Sequence, residues 1–278
     1  MQVLPIQFYI QLGVNKILKD VQNTSDNRGI AIQNVGISDV YLPFLIKTKA
    51  GSFQSVLAKI NLTVDLPKEY KGTHMSRFIE ILSEWSQKPV SSREMYFILN
   101  DTINRLDAEY AQMDIQFKYF IEKTAPVSGL KSMLDIDCSF SGKLRKDELL
   151  DFTLGVNVPF TSLCPCSKEI SVHGAHNQRG LMRVKIKYQG EQFIWIEDLV
   201  TLLEAQGSCP VYPLLKREDE KYVTEYAYEN AKFVEDILRD LVLSLRQQEN
   251  ISWFEVQCEN YESIHNHSAY ARHVEFVK

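Results

Sequence analysis

The spacing of apolar positions changes several times along the chain, and each change marks an element. Val56, Ala58, Ile60, Leu62 and Val64 share one side, while Lys59, Asn61, Thr63 and Asp65 share the other. That two-residue period predicts a half-buried strand. Val40, Leu42, Phe44 and Ile46 alternate in the same way just before it. The period then lengthens. Phe78, Leu82 and Trp85 step by four and three, and Tyr96, Leu99, Ile103, Leu106 and Tyr110 continue in threes and fours. These are the stripes of two amphipathic helices. Pro89 stops the first, and Ser91-Ser92 caps the second. Alternation returns at Met113, Ile115, Phe117, Tyr119 and Ile121, and again at Leu134, Ile136, Cys138 and Phe140. The second half repeats this order of elements without repeating the sequence. Strands are expected over 150–158 and 182–188, helical faces over 196–203 and 234–245, and strands over 254–258 and 270–276.

The pattern predicts an α+β chain made of two tandem ββααββ units with antiparallel sheets. An arm is expected over 1–36, a first unit over 37–145 and a second over 146–278. The stretch Asn23-Thr24-Ser25-Asp26-Asn27 within the arm is polar and turn-like. Two helices per unit cover only one face of each sheet. The other face must be wet or must meet a further sheet, so the expectation is closure by homo-oligomerisation, with sites at the seams.

Composition narrows the partners. Lys and Arg total 31 against 36 Asp and Glu, giving a net charge of −5 over 278 residues. A nucleic-acid binder that works through bulk electrostatics needs the opposite balance. No apolar run approaches the roughly 18 residues of a membrane helix. The opening MQVLPIQFYI lacks the basic and small-residue features of an export signal. Together these point to a cytoplasmic protein with no membrane partner. The five cysteines are odd in number and irregularly spaced, so reduced thiols are expected. Cys138 and Cys258 alternate with apolar neighbours and read as buried strand residues, whereas Cys164 and Cys166 do not.

Chemistry concentrates in the polar connection over 161–179. Cys164 and Cys166 flank Pro165, and His173 and His176 follow. Thiolate and imidazole suit zinc or another borderline divalent ion, although no second Cys pair completes a closed zinc-finger site. Any one of these residues alone reads as an ordinary loop thiol or a solvated imidazole. Four in one loop favour function, the more so with a second cluster, Glu262, His265 and His267, after a later strand. The run over 216–221 reads on its own as a solvated charge cluster. The spacing therefore leads to a metal-assisted hydrolase, with activated water near neutral pH and histidines able to move protons, and it names no substrate.

The residues Ser162-Leu-Cys-Pro-Cys-Ser-Lys-Glu-Ile-Ser171 with Gly174-Ala-His-Asn-Gln-Arg179 resemble the signature of the prokaryotic type IB GTP cyclohydrolases. Lys71-Gly-Thr-His-Met-Ser-Arg-Phe78, Val211-Tyr-Pro-Leu-Leu-Lys-Arg217, Asp219-Glu-Lys-Tyr-Val-Thr-Glu225 and Glu262-Ser-Ile-His-Asn-His-Ser-Ala-Tyr270 extend the likeness over about residues 30 to 275. Glu218 stands where the family often has proline, and Gly180 where serine is common.

The resemblance implies tunnelling-fold units joined into antiparallel barrels in a homotetramer. It implies GTP cyclohydrolase I activity, in which GTP and water give 7,8-dihydroneopterin triphosphate and formate. That product feeds folate (tetrahydrofolate) biosynthesis and deazaguanine tRNA modification. It further implies a divalent metal ion (zinc, manganese or iron) near Cys164, His176, Glu220 and His265. Cys166 falls against the purine ring, and Cys164, Cys166, His176 and His265 make the catalytic set. Glu262 resembles the carboxylate that holds a purine edge. Arg77, Lys168 and Arg179, with Lys216 and Lys221, lie in motifs that fit a triphosphate, and His74 fits equally well as a structural residue. Two other readings remain beside this one: a related cyclohydrolase releasing a cyclic-phosphate pterin, and a non-catalytic, zinc-stabilised purine-binding scaffold.

Overall fold

The computed structural model describes residue 22 and residues 24–188 and 193–277. Most of the arm expected over 1–36 lies outside the described residues. Among the described residues the chain forms ten strands and six helices. The first half runs β1 (Ile32–Lys47), β2 (Phe53–Leu66), α1 (Met75–Trp85), the two-residue β3 (Pro89–Val90), α2 (Ser92–Leu106), β4 (Tyr110–Thr124) and β5 (Lys131–Arg145). The second runs β6 (Asp151–Leu163), α3 (Pro165–Ile170), β7 (Asn177–Tyr188), α4 (Ile196–Glu204), β8 (Cys209–Pro210), α5 (Arg217–Glu229), α6 (Val234–Arg246), β9 (Ile251–Asn260) and β10 (Ala269–Phe276).

One sheet holds all ten strands, in the order β10-β9-β7-β6-β5-β4-β2-β1-β3, with β8 pairing β6. Every pairing is antiparallel except that of β1 with β3. The α+β class and the antiparallel sheet match the sequence pattern, and the sheet of a single chain is open. The two halves share it without a break, because β5 pairs β6 from Asp137↔Asn157 to Lys143↔Asp151.

Four elements differ from the periodic reading. β1 begins at Ile32, ahead of residue 37. Its early residues pair with the end of β2, and register shifts between Ile32 and Val35 and between Ile37 and Val40 break the alternation that would reveal them. The buried stripe of α2 is Met95, Ile98, Leu99, Thr102 and Ile103. Tyr96 stands at its exposed edge, and Tyr110 already belongs to β4. The second half carries four helices rather than two. α5 buries only Asp219 and Ala227, so no apolar stripe announces it. α3 is a six-residue helix inside what the sequence reads as a loop.

The cap expected at Ser91 is present. Its backbone N–H and its hydroxyl both donate to Glu94 Oε2, at 3.0 and 2.6 Å. Helices α1, α2, α4 and α6 cover one face, over a core in which Phe44, Phe78, Phe160 and Phe254 are fully buried. The opposite face carries ion pairs, among them Arg183–Glu259, Arg272–Glu255 and Lys187–Asp151. Partly exposed pairs of this kind contribute about 0–1 kcal/mol each, so this face is kept wet rather than held together by them. No helix among the described residues is long and apolar enough to cross a membrane.

Side-chain ties between the halves are polar and range from exposed to buried. The hydroxyl of Tyr119 on β4 donates to Glu197 Oε1 on α4 at 2.6 Å, and the Lys49 N–H reaches the same oxygen at 3.0 Å. Lys123 on β4 pairs with Glu204 on α4, which is only 5% exposed. Burial pushes the Glu204 carboxyl up, and the Lys123 ammonium opposes that rise. Removing one member of such a pair strands the other charge, at a cost of about 3–5 kcal/mol. Lys123→Met should lower stability by about that much in chemical denaturation. Lys123→Met with Glu204→Leu should recover most of it. A single variant of wild-type stability refutes this account of the tie.

Candidate active site

The site begins where β6 and β7 end their pairing. Their last rung is Leu163↔Asn177. One step beyond, the Cys164 N–H donates to the His176 carbonyl at 3.1 Å. Cys164 is the residue that caps α3, with extended backbone (φ −71°, ψ 117°), and Pro165 opens the helix. Proline fits there because its missing N–H would have no helical partner. The Cys164 sulfur accepts the Ser167 N–H at 3.4 Å. The Ser167 hydroxyl accepts the His176 N–H at 3.1 Å and donates to the Cys164 carbonyl at 3.2 Å. Ser167 thus locks the two candidate ligands to each other.

From His176 the contacts continue sideways. Its Nδ1 lies 2.9 Å from Gln178 Oε1, and Gln178 Nε2 lies 3.5 Å from Glu262 Oε1. Glu262 sits just past β9, where the Tyr261 N–H donates to the Arg179 carbonyl at 2.9 Å. Buried struts support both strand ends. Asn260 Nδ2 donates to the Ser162 hydroxyl at 3.0 Å, and that hydroxyl donates to the Lys232 carbonyl at 3.2 Å. Gly180 is needed here, since an added Cβ would stand 2.4 Å from Phe160 Cζ and 2.7 Å from the Glu259 carbonyl oxygen. That accounts for glycine where the family resemblance leads one to expect serine.

Of the five thiols, burial holds Cys209 at about 11 and Cys258 at about 12, and pushes Cys138 further up. Those three are chemically quiet. Cys166 is exposed. In extended backbone Cys164 and Cys166 would share one side, but the helix starts between them.

The remaining candidates are more dispersed. Glu220 is exposed in the first turn of α5. His265 is exposed in the connection after β9, its ring stacked on His267 at 5.1 Å. Alternation along β7 puts Asn177 and Arg179 on the other side of the strand from His176 and Gln178. There they line, with Thr161, Tyr212, Leu215 and Thr224, a cavity of about 240 Å³. The Lys168 ammonium donates to the Tyr228 carbonyl at 2.6 Å and lies 4.3 Å from that ring. Arg77 is on α1, across the sheet, and donates to the Arg105 carbonyl at 2.9 Å.

Among the described residues no three His, Cys, Asp or Glu side chains gather closely enough to hold a metal ion. The donor chemistry of the pair at the strand ends nevertheless suits one. A thiol and an imidazole adjoin through their backbones, and the ring's Nδ1 is engaged by Gln178, so Nε2 is the nitrogen that a metal would use.

Sequence reasoning passes over three residues. Ser167 is invisible without α3. Gln178 carries a usable signal, since it stands two positions from His176 on a strand and therefore faces the same way. Asp219 hides inside a run of charges yet is fully buried. Its carboxylate accepts the N–H groups of Val127, Ser128 and Lys216, each at 2.9 Å, and the Ser128 hydroxyl at 2.7 Å. This pins the start of α5, and with it Glu220, to the β4–β5 turn. Burial alone would raise the Asp219 carboxyl, but the Ser128 hydroxyl and the three N–H groups outweigh it and hold it well below the usual range. The stabilisation is present above the unfolded carboxyl value of about 4 and fades as pH falls below it. Asp219→Asn should lower the melting temperature by several degrees at neutral pH, and the gap should close on acidification. A gap that is the same at every pH counts against this carboxylate as the clamp.

Comparison with known proteins adds a family. The sequence profile described as "Type I GTP cyclohydrolase folE2" matches residues 18–271. The chain is 52% identical over 254 residues to GTP cyclohydrolase FolE2 of Geobacter sp. (strain M21), covering 91% of this chain and 93% of that protein. It is also 52% identical over 254 residues to GTP cyclohydrolase FolE2 of Geobacter sulfurreducens, covering 91% and 96%. Among solved structures it resembles uricase from Arthrobacter globiformis, with a TM-score of 0.54 at 6% identity over 88% of this chain and 93% of that one. A uricase from Bacillus fastidious has a TM-score of 0.53 at 6% identity, with the same coverage. At such identities the likeness concerns the fold alone, and it agrees with the tunnelling-fold expectation.

Proposed function

The chain belongs to the type I GTP cyclohydrolase folE2 family, and from that premise we propose that it acts as a type IB GTP cyclohydrolase I. In this reading it converts GTP and water to 7,8-dihydroneopterin triphosphate and formate, the entry step to folates, with supply to deazaguanine tRNA modification as a second outlet. The observation that carries the reading is the contact path from Cys164 through His176 and Gln178 to Glu262. It sets a thiol–imidazole pair beside a carboxylate suited to a guanine edge.

In this reading Cys164 and His176 hold a divalent ion, with Glu220 and His265 as the further ligands that the resemblance implies. The Cys/His/Glu donor set suits zinc, manganese or iron. When bound, such an ion supplies Lewis acidity and a water whose pKa falls to roughly 7. The chain's own groups do the rest. The two oxygens of Glu262 accept guanine's N1–H and 2-amino hydrogens, and a base without the amino group leaves one oxygen unpaired. The exposed Cys166 thiol faces the base and moves a proton at the imidazole ring as it opens. Arg179, Arg77 and Lys168 supply positive charge for the triphosphate, the arginines as bidentate partners. We read residues 37–145 and 146–278 as two tunnelling-fold units. Their open sheet edges are closed by further copies in a cytoplasmic homotetramer.

Incubating GTP with metal-reconstituted protein should release formate and a fluorescent pterin that keeps its linear triphosphate. No formate with zinc, manganese or iron refutes the enzyme reading. A cyclic-phosphate product assigns the chain to the related branch, and unfolding on metal removal supports a scaffold. Cys164→Ser should lose bound metal and turnover while keeping its assembly; full metal content in that variant removes Cys164 as a ligand.

Cys166→Ala should keep stoichiometric metal and GTP binding but lose most of kcat, with kcat and kcat/KM falling together. Loss of metal along with activity would make Cys166 a ligand instead.

A further inference from the structure

Gln178 is 6% exposed and has polar partners on two sides. Its Oε1 faces His176 Nδ1 at 2.9 Å, and its Nε2 faces Glu262 Oε1 at 3.5 Å. A glutamine amide has one end that only accepts and one that only donates. An ionised carboxylate only accepts, and a neutral imidazole has one nitrogen of each kind. Turning the amide round would set its oxygen against the Glu262 oxygen, two acceptors with no hydrogen between them. The carboxylate therefore selects the amide orientation. The oriented amide presents an acceptor to Nδ1, so Nδ1 must carry the hydrogen. The lone pair is then left on Nε2, the nitrogen that the strand-end geometry leaves open for a ligand.

We propose that Gln178 is a positioning residue through which Glu262 sets the tautomer of His176, so that the base-recognising carboxylate and the metal-ligating imidazole are coupled. This rests on the reading above for the identity of the two subsites. The contacts themselves do not depend on it. Outer partners of a ligating histidine change metal affinity by about 10–100-fold when removed. Here the partner is in turn oriented by the group that holds the substrate. The purine subsite thereby acts on the ring without touching it.

The test uses the full-length, metal-free chain labelled with ¹⁵N at its six histidines. The ring nitrogen shifts are read well above the ordinary imidazole pKa. Wild type should show His176 with hydrogen on Nδ1 and a bare Nε2. Gln178→Leu should give a mixed tautomer and a Zn²⁺ affinity about 10–100-fold weaker by calorimetric titration. Gln178→Glu keeps the acceptor and loses the donor. It should hold the tautomer and the Zn²⁺ affinity while raising KM for GTP. The decisive variant is Glu262→Gln, in which Gln178 is intact but the reason for its orientation is gone. His176 should become mixed there too, an effect that a merely structural role for Gln178 does not produce.

Wild-type His176 with its hydrogen on Nε2, or an unchanged tautomer in both Gln178→Leu and Glu262→Gln, overturns the proposal. The outcome separates from that of the reading above. Formate release with an unresponsive tautomer sinks the coupling alone. The expected tautomer pattern without formate sinks the cyclohydrolase reading alone.

Discussion

The register of β6 against β7 places Cys164 and His176 on facing strand ends, and the rest of the site is built outward from that rung. Because side chains alternate along a strand, a slip of one residue would turn His176 and Gln178 to the face now occupied by Asn177 and Arg179. The thiol and the imidazole would then no longer share a side. The register is held from within by Val156↔Val184 and Val158↔Met182, all four buried. It is closed at its end by Ser167, which bonds to both partners at once. Local chemistry at the tip thus inherits its geometry from hydrophobic matching several residues away.

The same sheet solves a second problem, that of carrying polar groups without unfolding. Its helix-covered face is apolar, and its other face bears ion pairs that add little stability. Where polar side chains are buried, several lie in hydrogen-bonded sets: Ser91 with Glu94, and Asp219 with the β4–β5 turn, whereas Asn260 donates to Ser162 and keeps its buried Oδ1 without a partner. Asp219 is the clearest case of a buried charge tolerated because four donors surround it. That arrangement connects the two halves of the chain at the start of α5. A carboxylate proposed to work at the site, Glu220, is therefore carried by a helix whose entry is anchored in the opposite half.

The strands and most helices were legible in the sequence wherever one face is buried and the other wet. Lys59 and Asn61 against Ile60 and Leu62 leave no doubt about β2. Legibility failed where that contrast is absent. α5 packs through an aspartate and an alanine, so hydrophobic periodicity has nothing to register. The beginning of β1 is bulged, so its alternation is interrupted. At the site, Cys164, Cys166, His176 and Glu262 stood out as chemical types in unusual company. Gln178 and Asp219 are ordinary residues by type, and their roles come only from what surrounds them.

The order of local conformations and the list of reactive groups are properties of the chain itself, because both follow from neighbours a few positions apart. The cap at Ser91, the alternation of β2 and the Cys-Pro-Cys run needed no folded partner to be read. Which groups meet is a different matter. His176 and Glu262 are 86 positions apart and meet through Gln178 only because β7 lies between β6 and β9 in the sheet. Helix formation at Pro165 sends Cys166 away from Cys164, although their spacing in an extended chain would put them on one side. Long-range strand pairing made the first of these choices, through burial of apolar surface distant from the site, and no local sequence pattern encodes that; the second follows from the local cap at Cys164 and Pro165 and shows only once the helix is seen.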